Sequence, residues 1–389
     1  MKRLRTRLFA LALLGLLGVY AVDLYGRGSA VYAHLGARAE SAWVGERLWE
    51  WDAEFGFSPV PGARVTELVP QSEGVPVRLD ARGLRVPEDW QPEPADDARP
   101  ALLALGCSFT FGTACRAEQT WPAVAGERLG ARVLNAGIPA GGLAHMLLRA
   151  RRILAEEKPT WVVAQYAPWL APRATSLWAR TQTGPVPVPY LVEAEDGGYR
   201  VHPPQFQSQR LEPEIQPYRT SERSRGMALR FAWEVALPML LSEDWHQFRM
   251  GVGERMGTLA RPAADGPALR AWAYEELRRM AHEAGAEFCV LVVGEDVDPL
   301  ETRFLDELPE TPVVQGTRKL YQRLPAQHFD AYFAAYGHWG GDPPRLVDQH
   351  PNPLAHELLG GWVADALIQL EVLRRRTGTR PGSDGRTRD

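Results

Sequence analysis

Two kinds of hydrophobic pattern take turns along the middle of the chain: short unbroken apolar runs, and longer stretches with apolar residues at three- and four-residue spacing. Ala101 to Leu105 is an apolar run stopped by Gly106, which predicts a buried strand. A helix is expected from Thr120 to Leu129, with Pro122 in its first turn, where a missing N–H does no harm. Arg132 to Leu134 reads as the next strand, and Leu143 to Ala155 as a helix with arginines on its outer face. Pro159 breaks the chain before a further strand at Trp161 to Ala164. Later, Asp265 is placed to cap a helix carrying Leu269, Ala273, Leu277, Met280 and Ala284 on one face, and Phe288 to Val293 follows as a strand. Pro353 opens a last helix with Leu359, Trp362, Val363, Ala366 and Leu370 on one side. Such alternation predicts an α/β fold: a parallel sheet with helices over both faces.

The start of the chain has a different pattern. Lys2, Arg3, Arg5 and Arg7 precede an uncharged apolar run from Leu8 to Val22, which Asp23 ends. At about 1.5 Å per residue that run reaches about 22 Å as a helix, extendable through Leu24 and Tyr25. It reads as a transmembrane anchor. A signal segment cleaved near Val19-Tyr20-Ala21 is the alternative. In either case the basic cluster places the rest of the chain outside the cytoplasm, on its periplasmic side. The boundaries follow: residues 1–28 as the anchor or signal, and 29–100 as a juxtamembrane segment with strand-like pieces, closed by a loop rich in Pro, Asp and Glu from Val86 to Pro100. Residues 101–373 form the α/β domain, interrupted by an insertion at about 171–264, and residues 374–389 are a polar tail predicted to be disordered. The insertion holds an expected hairpin from Tyr190 to Val201 around Asp196-Gly197-Gly198 and an apolar helix near Met227 to Leu241. Insertions of this kind shape a pocket or lid, a membrane- or partner-facing role being the competing reading.

Composition narrows the chemistry. A net charge of −4 gives no basic footprint for nucleic acid. Cys107, Cys115 and Cys289 have no metal-ligand spacing and are read as buried thiols. His338, Asp342, Asp348 and His350 match no common ligand motif, so no metal and no other cofactor is expected. His145 and His356 fall on predicted helices and are read as packing or surface residues. Trp169, Trp178, Trp233 and Trp245 are read as core, with stacking on sugars as the alternative.

Two segments carry candidate chemistry. Gly106-Cys107-Ser108-Phe109-Thr110-Phe111-Gly112 follows the first strand directly, so Ser108 falls at a strand's carboxyl end where open α/β sheets place ligands. Val347-Asp348-Gln349-His350-Pro351-Asn352 stands just before the last helix. A neutral imidazole takes a serine proton, and a carboxylate beside it fixes the tautomer and stabilises the imidazolium. Asn352 and Pro353 are explained as a helix start; Asp348 and His350 are not.

On these residues the chain resembles the SGNH/GDSL hydrolases. The resemblance covers about Ala101 to Leu370, through Gly106-Cys107-Ser108-Phe109-Thr110, Val133-Leu134-Asn135-Ala136-Gly137 and the closing Asp348-x-His350-Pro351-Asn352. It implies a flavodoxin-like three-layer α/β/α sandwich with Ser108 as nucleophile and Asp348 and His350 as its partners. It also implies an oxyanion hole from the N–H groups of Ser108 and of Ala140 or Gly141, at the second-block position where the family has glycine. The family's third-block Asn has no counterpart in Val162 to Trp169, and Gln165 is the residue there expected to offer a side-chain amide to the oxyanion hole in its place. Loss of one oxyanion donor costs about 10²–10³ in rate. The expected function is ester hydrolysis through an acyl-enzyme on an ester-bearing glycan or lipid-linked substrate at the cell envelope. The alternatives are an O-acetyltransferase for exported polysaccharide and an inactive scaffold that binds glycan or an assembly partner. Nothing in the sequence sets the oligomeric state.

Overall fold

The computed structural model describes residues 10–11, 13–27, 43–45, 47–69, 74–94, 97–181, 184–205, 260–294 and 297–377, together with single positions at 226, 230, 233, 241 and 245. The chain divides into two compact units. The smaller includes Met1–Ala42 and Arg210–Ala260, and its main described element is helix α1 at residues 10–27. Among the described residues no helix is long and apolar enough to cross a membrane. The apolar helix expected near Met227 to Leu241 lies outside the described residues apart from single positions, as does most of the predicted tail.

The larger unit holds Trp43–Thr181, Pro185–Gln209 and Arg261–Asp389. Its strands are β1 (Trp43–Gly45), β2 (Trp49–Asp52), β3 (Gly56–Pro59), β4 (Arg64–Glu67), β5 (Val75–Leu79), β6 (Arg85–Val86), β7 (Ala101–Leu105), β8 (Arg132–Asn135) and β9 (Trp161–Tyr166). They continue as β10 (Trp178–Thr181), β11 (Gly184–Pro187), β12 (Tyr190–Glu193), β13 (Tyr199–His202), β14 (Glu287–Val292), β15 (Val313–Gln315), β16 (His338–Gly340) and β17 (Arg345–Asp348). The helices are α2 (Ser108–Phe111), α3 (Trp121–Leu129), α4 (Leu143–Glu156), α5 (Leu170–Ala174), α6 (Pro267–Glu283), α7 (Gly316–Gln322), α8 (Phe329–Tyr336) and α9 (Pro353–Thr377).

Nine strands form one sheet in the order β1-β4-β5-β6-β8-β7-β9-β14-β15. The last five are parallel, and in chain order they run 2-1-3-4-5, the flavodoxin-like arrangement. Strands β7, β9 and β14 are buried along their whole length, as their long apolar runs require of strands covered on both faces, with Gln165 of β9 and Glu287 of β14 as the buried polar exceptions. Helices α3 and α9 pack together in one layer, and α4 packs against α6 in the other. Leu359, Val363 and Leu367 of α9 and Trp121 of α3 are fully buried where the first pair meets. In α6, Leu269, Ala273 and Leu277 are buried as their spacing predicts. Gly266 is the cap residue there, while Asp265 pairs instead with Arg270 at 2.9 Å.

The segment before residue 101 departs from expectation. Strands β1, β4, β5 and β6 add to the same sheet as antiparallel neighbours, and β6 joins β8 by pairing Arg85 with Asn135. The loop from Pro87 to Pro100 is therefore a connection within one sheet, not a boundary between a juxtamembrane segment and a domain. The expected hairpin is present as β12 and β13, with Asp196 accepting the Gly198 N–H at the turn. At the other end, α9 continues to Thr377, past the predicted start of the tail.

Candidate active site

Strand β7 ends at Leu105, and Ser108 opens the four-residue helix α2 as its first residue. Two close approaches explain the sequence around it. A side chain at Gly106 would place its Cβ 2.1 Å from Thr110 Oγ1 and 2.4 Å from Gln165 Oε1. One at Gly137 would stand 2.3 Å from the Phe111 N, because the β8 turn lies directly against the backbone of α2. Asn135 ties the two together: its side-chain amide donates to the Thr110 carbonyl at 3.0 Å and its oxygen accepts the Gly137 N–H at 3.1 Å. Both glycines are thus dictated by packing around the serine turn.

Gln165, fully buried on β9, braces the turn from below. Its oxygen accepts the Cys107 N–H at 3.1 Å and the Thr110 hydroxyl at 2.7 Å, and its amide nitrogen lies 3.2 Å from Cys107 Sγ. Two donors on one atom settle which end of the amide is oxygen. The Gln165 amide is therefore committed to the Cys107 turn beneath the serine. Trp169 also donates its indole N–H to Cys107 Sγ at 3.4 Å and sets its ring edge-on to Phe109.

Ser108 is half-buried, and its N–H, at the first position of α2, has no intrahelical acceptor. Across the β8 turn, Gly141 N–H is spent on the Ile138 carbonyl at 2.9 Å. Ala140 adopts φ +62°, a left-handed conformation that disfavours Cβ and explains why glycine suits this position. Among the described residues its N–H has no acceptor.

Asp348 ends β17, in a hairpin whose register sets it opposite His338. Its Oδ1 accepts from the His350 backbone N–H at 2.8 Å and lies 2.6 Å from His350 Nδ1. With Nδ1 carrying the proton toward Asp348, Nε2 holds the lone pair. Phe109 meets the His350 ring edge-on at 5.4 Å, so the imidazole stands beside the turn that carries Ser108. The serine hydroxyl lies 3.9 Å from Cys107 Sγ and makes no hydrogen bond to His350. Burial disfavours charge on His350, but the Asp348 carboxylate outweighs it and raises the imidazole above its ordinary range. Asp348 is itself lowered, burial being overcome by His350. Asn352 fixes the next helix: its Oδ1 accepts the Ala355 N–H at 3.0 Å, and its amide nitrogen donates to the Ala335 and Gly337 carbonyls.

Two charged residues from the added strands escaped the sequence reading. Arg85 is almost fully buried, stacks 4.6 Å over the Phe111 ring, and donates to the carbonyls of Phe111 at 2.9 Å, Gly112 at 2.6 Å and Cys115. Burial lowers its pKa to about 10 against the pull of Glu67. Glu67 accepts the N–H of Ala114, which is held at φ +63°, and feels both Asp348 and His350. Burial raises its carboxyl above the usual range. A signal for Glu67 was present: it follows Val65 at strand spacing, which puts a carboxylate on the apolar face of β4.

The other histidines have structural partners. His145 is buried against the Phe55 carbonyl and the Gly142 N–H, and burial lowers its pKa to about 4. His356 accepts the Trp121 N–H and is lowered to about 3, again by burial. His338 lies 3.2 Å from the Pro351 carbonyl and 3.8 Å from Cys115 Sγ. Cys107, Cys115 and Cys289 are free and buried. Among the described residues no cluster of His, Cys, Asp or Glu is arranged to hold a metal ion.

No family model and no curated protein matches the chain. Among solved structures it is similar to TesA, at 16% identity over 69% of this chain and 99% of that one, with a TM-score of 0.34. It is also similar to a lipolytic protein described as of the G-D-S-L family from Desulfitobacterium hafniense, at 11% identity over 68% and 98% of the two chains, with a TM-score of 0.32. A third likeness is to a carbohydrate esterase family 2 enzyme with a carbohydrate-binding domain from Corynascus thermopiles, at 12% identity over 74% and 69%, with a TM-score of 0.34. These similarities are too remote to assign a role to any residue, so each role proposed below depends on the geometry of this chain.

Proposed function

We propose that the chain is a serine-dependent acyl hydrolase or acyltransferase of the SGNH/GDSL type, with Ser108 as nucleophile, His350 as general base and Asp348 as its partner. The observation that carries the reading is the 2.6 Å contact of His350 Nδ1 with Asp348, on an imidazole packed against the serine turn. Rotation of Ser108 about χ1 turns its hydroxyl from Cys107 to His350 Nε2, and hydrogen bonds of this kind are often unformed before substrate binds. His350 then takes the proton as Oγ attacks an ester carbonyl. The N–H groups of Ser108 and Ala140 receive the oxyanion, since Gly141 N–H is spent in its turn and Gln165 is committed below. The imidazolium protonates the leaving alkoxide, and water or a sugar hydroxyl takes the acyl group from the enzyme. The substrate is an ester on carbohydrate or on a lipid-linked carrier at the cell envelope, reached by a chain tethered through its N-terminal segment.

The test is fluorophosphonate labelling of the chain beside its Ser108→Ala variant, with p-nitrophenyl acetate turnover followed in parallel. Labelling lost in the variant, with turnover reduced by about three orders of magnitude or more, is the expected outcome. Equal labelling of both proteins excludes Ser108. An unlabelled but folded wild-type chain favours the binding scaffold, which the absent Ser108–His350 hydrogen bond would then describe. Transfer of acetyl groups to polysaccharide without net hydrolysis separates the acetyltransferase from the esterase.

A further inference from the structure

Beyond the serine turn, the carboxyl ends of β14 and β15 open into a second concavity of about 870 Å³, within the roughly 300–1,000 Å³ typical of small-molecule sites. Val292, Thr317 and three glutamines, Gln315, Gln322 and Gln327, are among the residues that line it. Asp306 and Arg318 contribute one charge of each sign, and the Tyr321 and Phe329 rings complete the lining. Phe329 is 50% exposed, with its ring edge-to-face against Phe333 at 4.7 Å.

The concavity adjoins the candidate active site. Thr317 exchanges two 2.9 Å hydrogen bonds with the backbone of Gly294, and Gly294 lies against Pro168 and Trp169. Trp169 in turn donates to Cys107 and packs on Phe109. One aromatic ring and one backbone segment therefore separate the concavity from the serine turn. Helix α8, which begins at Phe329, leads directly into the hairpin that ends at Asp348.

The lining chemistry selects among ligands. Each glutamine amide offers both donors and an acceptor, which matches the paired hydroxyls of a sugar ring. Exposed aromatic faces suit the C–H face of a pyranose. Opposite charges on Asp306 and Arg318 favour no net charge on the ligand. An acyl chain would leave three amides and two charges desolvated without partners, at a cost in binding.

We propose that this groove binds a neutral oligosaccharide, the sugar portion of the ester on which the site acts. Its link to catalysis rests on the serine reading of the preceding section, while the binding itself does not. The experiment is titration of the full chain in detergent with xylotetraose, cellotetraose and chitotetraose by isothermal calorimetry, repeated with Gln327→Ala and Phe329→Ala. Both positions are exposed, and circular dichroism verifies that the variants fold. Saturable binding of at least one tetrasaccharide, weakened about five-fold or more by each substitution, is expected. Binding of none of the three, or binding that neither substitution alters, overturns the proposal. Ser108→Ala must bind the tetrasaccharide as the wild type does, and p-nitrophenyl acetate turnover reports the serine alone. An active serine beside a groove that ignores sugar removes the groove, and a sugar-binding groove beside an inert serine removes the hydrolase.

Discussion

His350 draws most of its basicity from Asp348, with a smaller contribution from Glu67. Asp348 Oδ1 accepts from both the backbone N–H and Nδ1 of His350, so one carboxylate orients the ring and stabilises its charged form. Burial works against that charge and loses, which leaves the imidazole above its ordinary pKa. A histidine with a raised pKa adds stability at low pH and loses it as pH rises through the folded value. A general base works only when neutral, so, with His350 in the proposed role, activity would rise as the pair's stabilisation fades. The kcat/KM for p-nitrophenyl acetate should therefore rise with pH through an inflection above about 6.5. Asp348→Asn should move the inflection down and cut the rate by orders of magnitude through the wrong tautomer. A profile flat between pH 5 and 9 in the wild type would show that His350 is not the base. At this scale the sequence was informative where chemistry sits in a short motif: Ser108, Asp348 and His350 are all within a few residues of glycine, proline or asparagine that shape the backbone. It offered Gln165 as an oxyanion donor and missed its bonds to the Cys107 turn, because the partner of a buried amide is fixed by the neighbouring strand and not by its own flanks.

Arg85 shows how one element fixes another. Strand β6 is only two residues long, yet it places a guanidinium over the end of α2, where it donates to the carbonyls of Phe111, Gly112 and Cys115, the last two beyond the helix. Arg85→Met keeps the stem and removes every donor, and it leaves Glu67 buried without its counter-charge. A loss of about 3 kcal/mol or more in stability is expected, read as a lowered melting temperature. Arg85→Lys retains charge without the fork that spans three acceptors, and should fold while losing about ten-fold in kcat at little change in KM. Unchanged melting and turnover in both variants would remove Arg85 from the positioning of the nucleophile. The strands that carry Arg85 and Glu67 were the least legible part of the fold. Each has two to five residues, too few for a clear period, and β6 finds its partner β8 across the whole β7–α2–α3 unit. Of the parallel strands, β7, β9 and β14 were legible because burial on both faces leaves a long apolar run, whereas the three-residue edge strand β15 was not. The helices α3, α4, α6 and α9 were legible because a single buried face leaves a regular spacing.

At the scale of the whole molecule, α1 poses a problem that water does not solve. Leu14, Leu16 and Val22 are 64%, 69% and 72% exposed, and Leu11, Leu13, Leu17 and Val19 are also exposed. The proposed anchor would cover these side chains with lipid, although among the described residues no helix is long and apolar enough to cross a membrane. The proposed tether would set the basic cluster of Lys2, Arg3, Arg5 and Arg7 at a cytoplasmic membrane surface and the rest of the chain on the other side. The full chain expressed in a bacterial host should accordingly sediment with membranes, resist carbonate washing and enter solution only with detergent. Its intact mass should include Met1, because an anchor is retained where a signal is removed. A mass short by about the first 21 residues, with the protein in the periplasmic fluid, would instead identify a cleaved signal. A chain of full mass in the cytoplasmic supernatant would defeat both readings and, with them, the case for an envelope substrate. The groove experiment does not depend on that result, since the sugar binding proposed for Gln327 and Phe329 would belong to the folded unit on either side of a membrane.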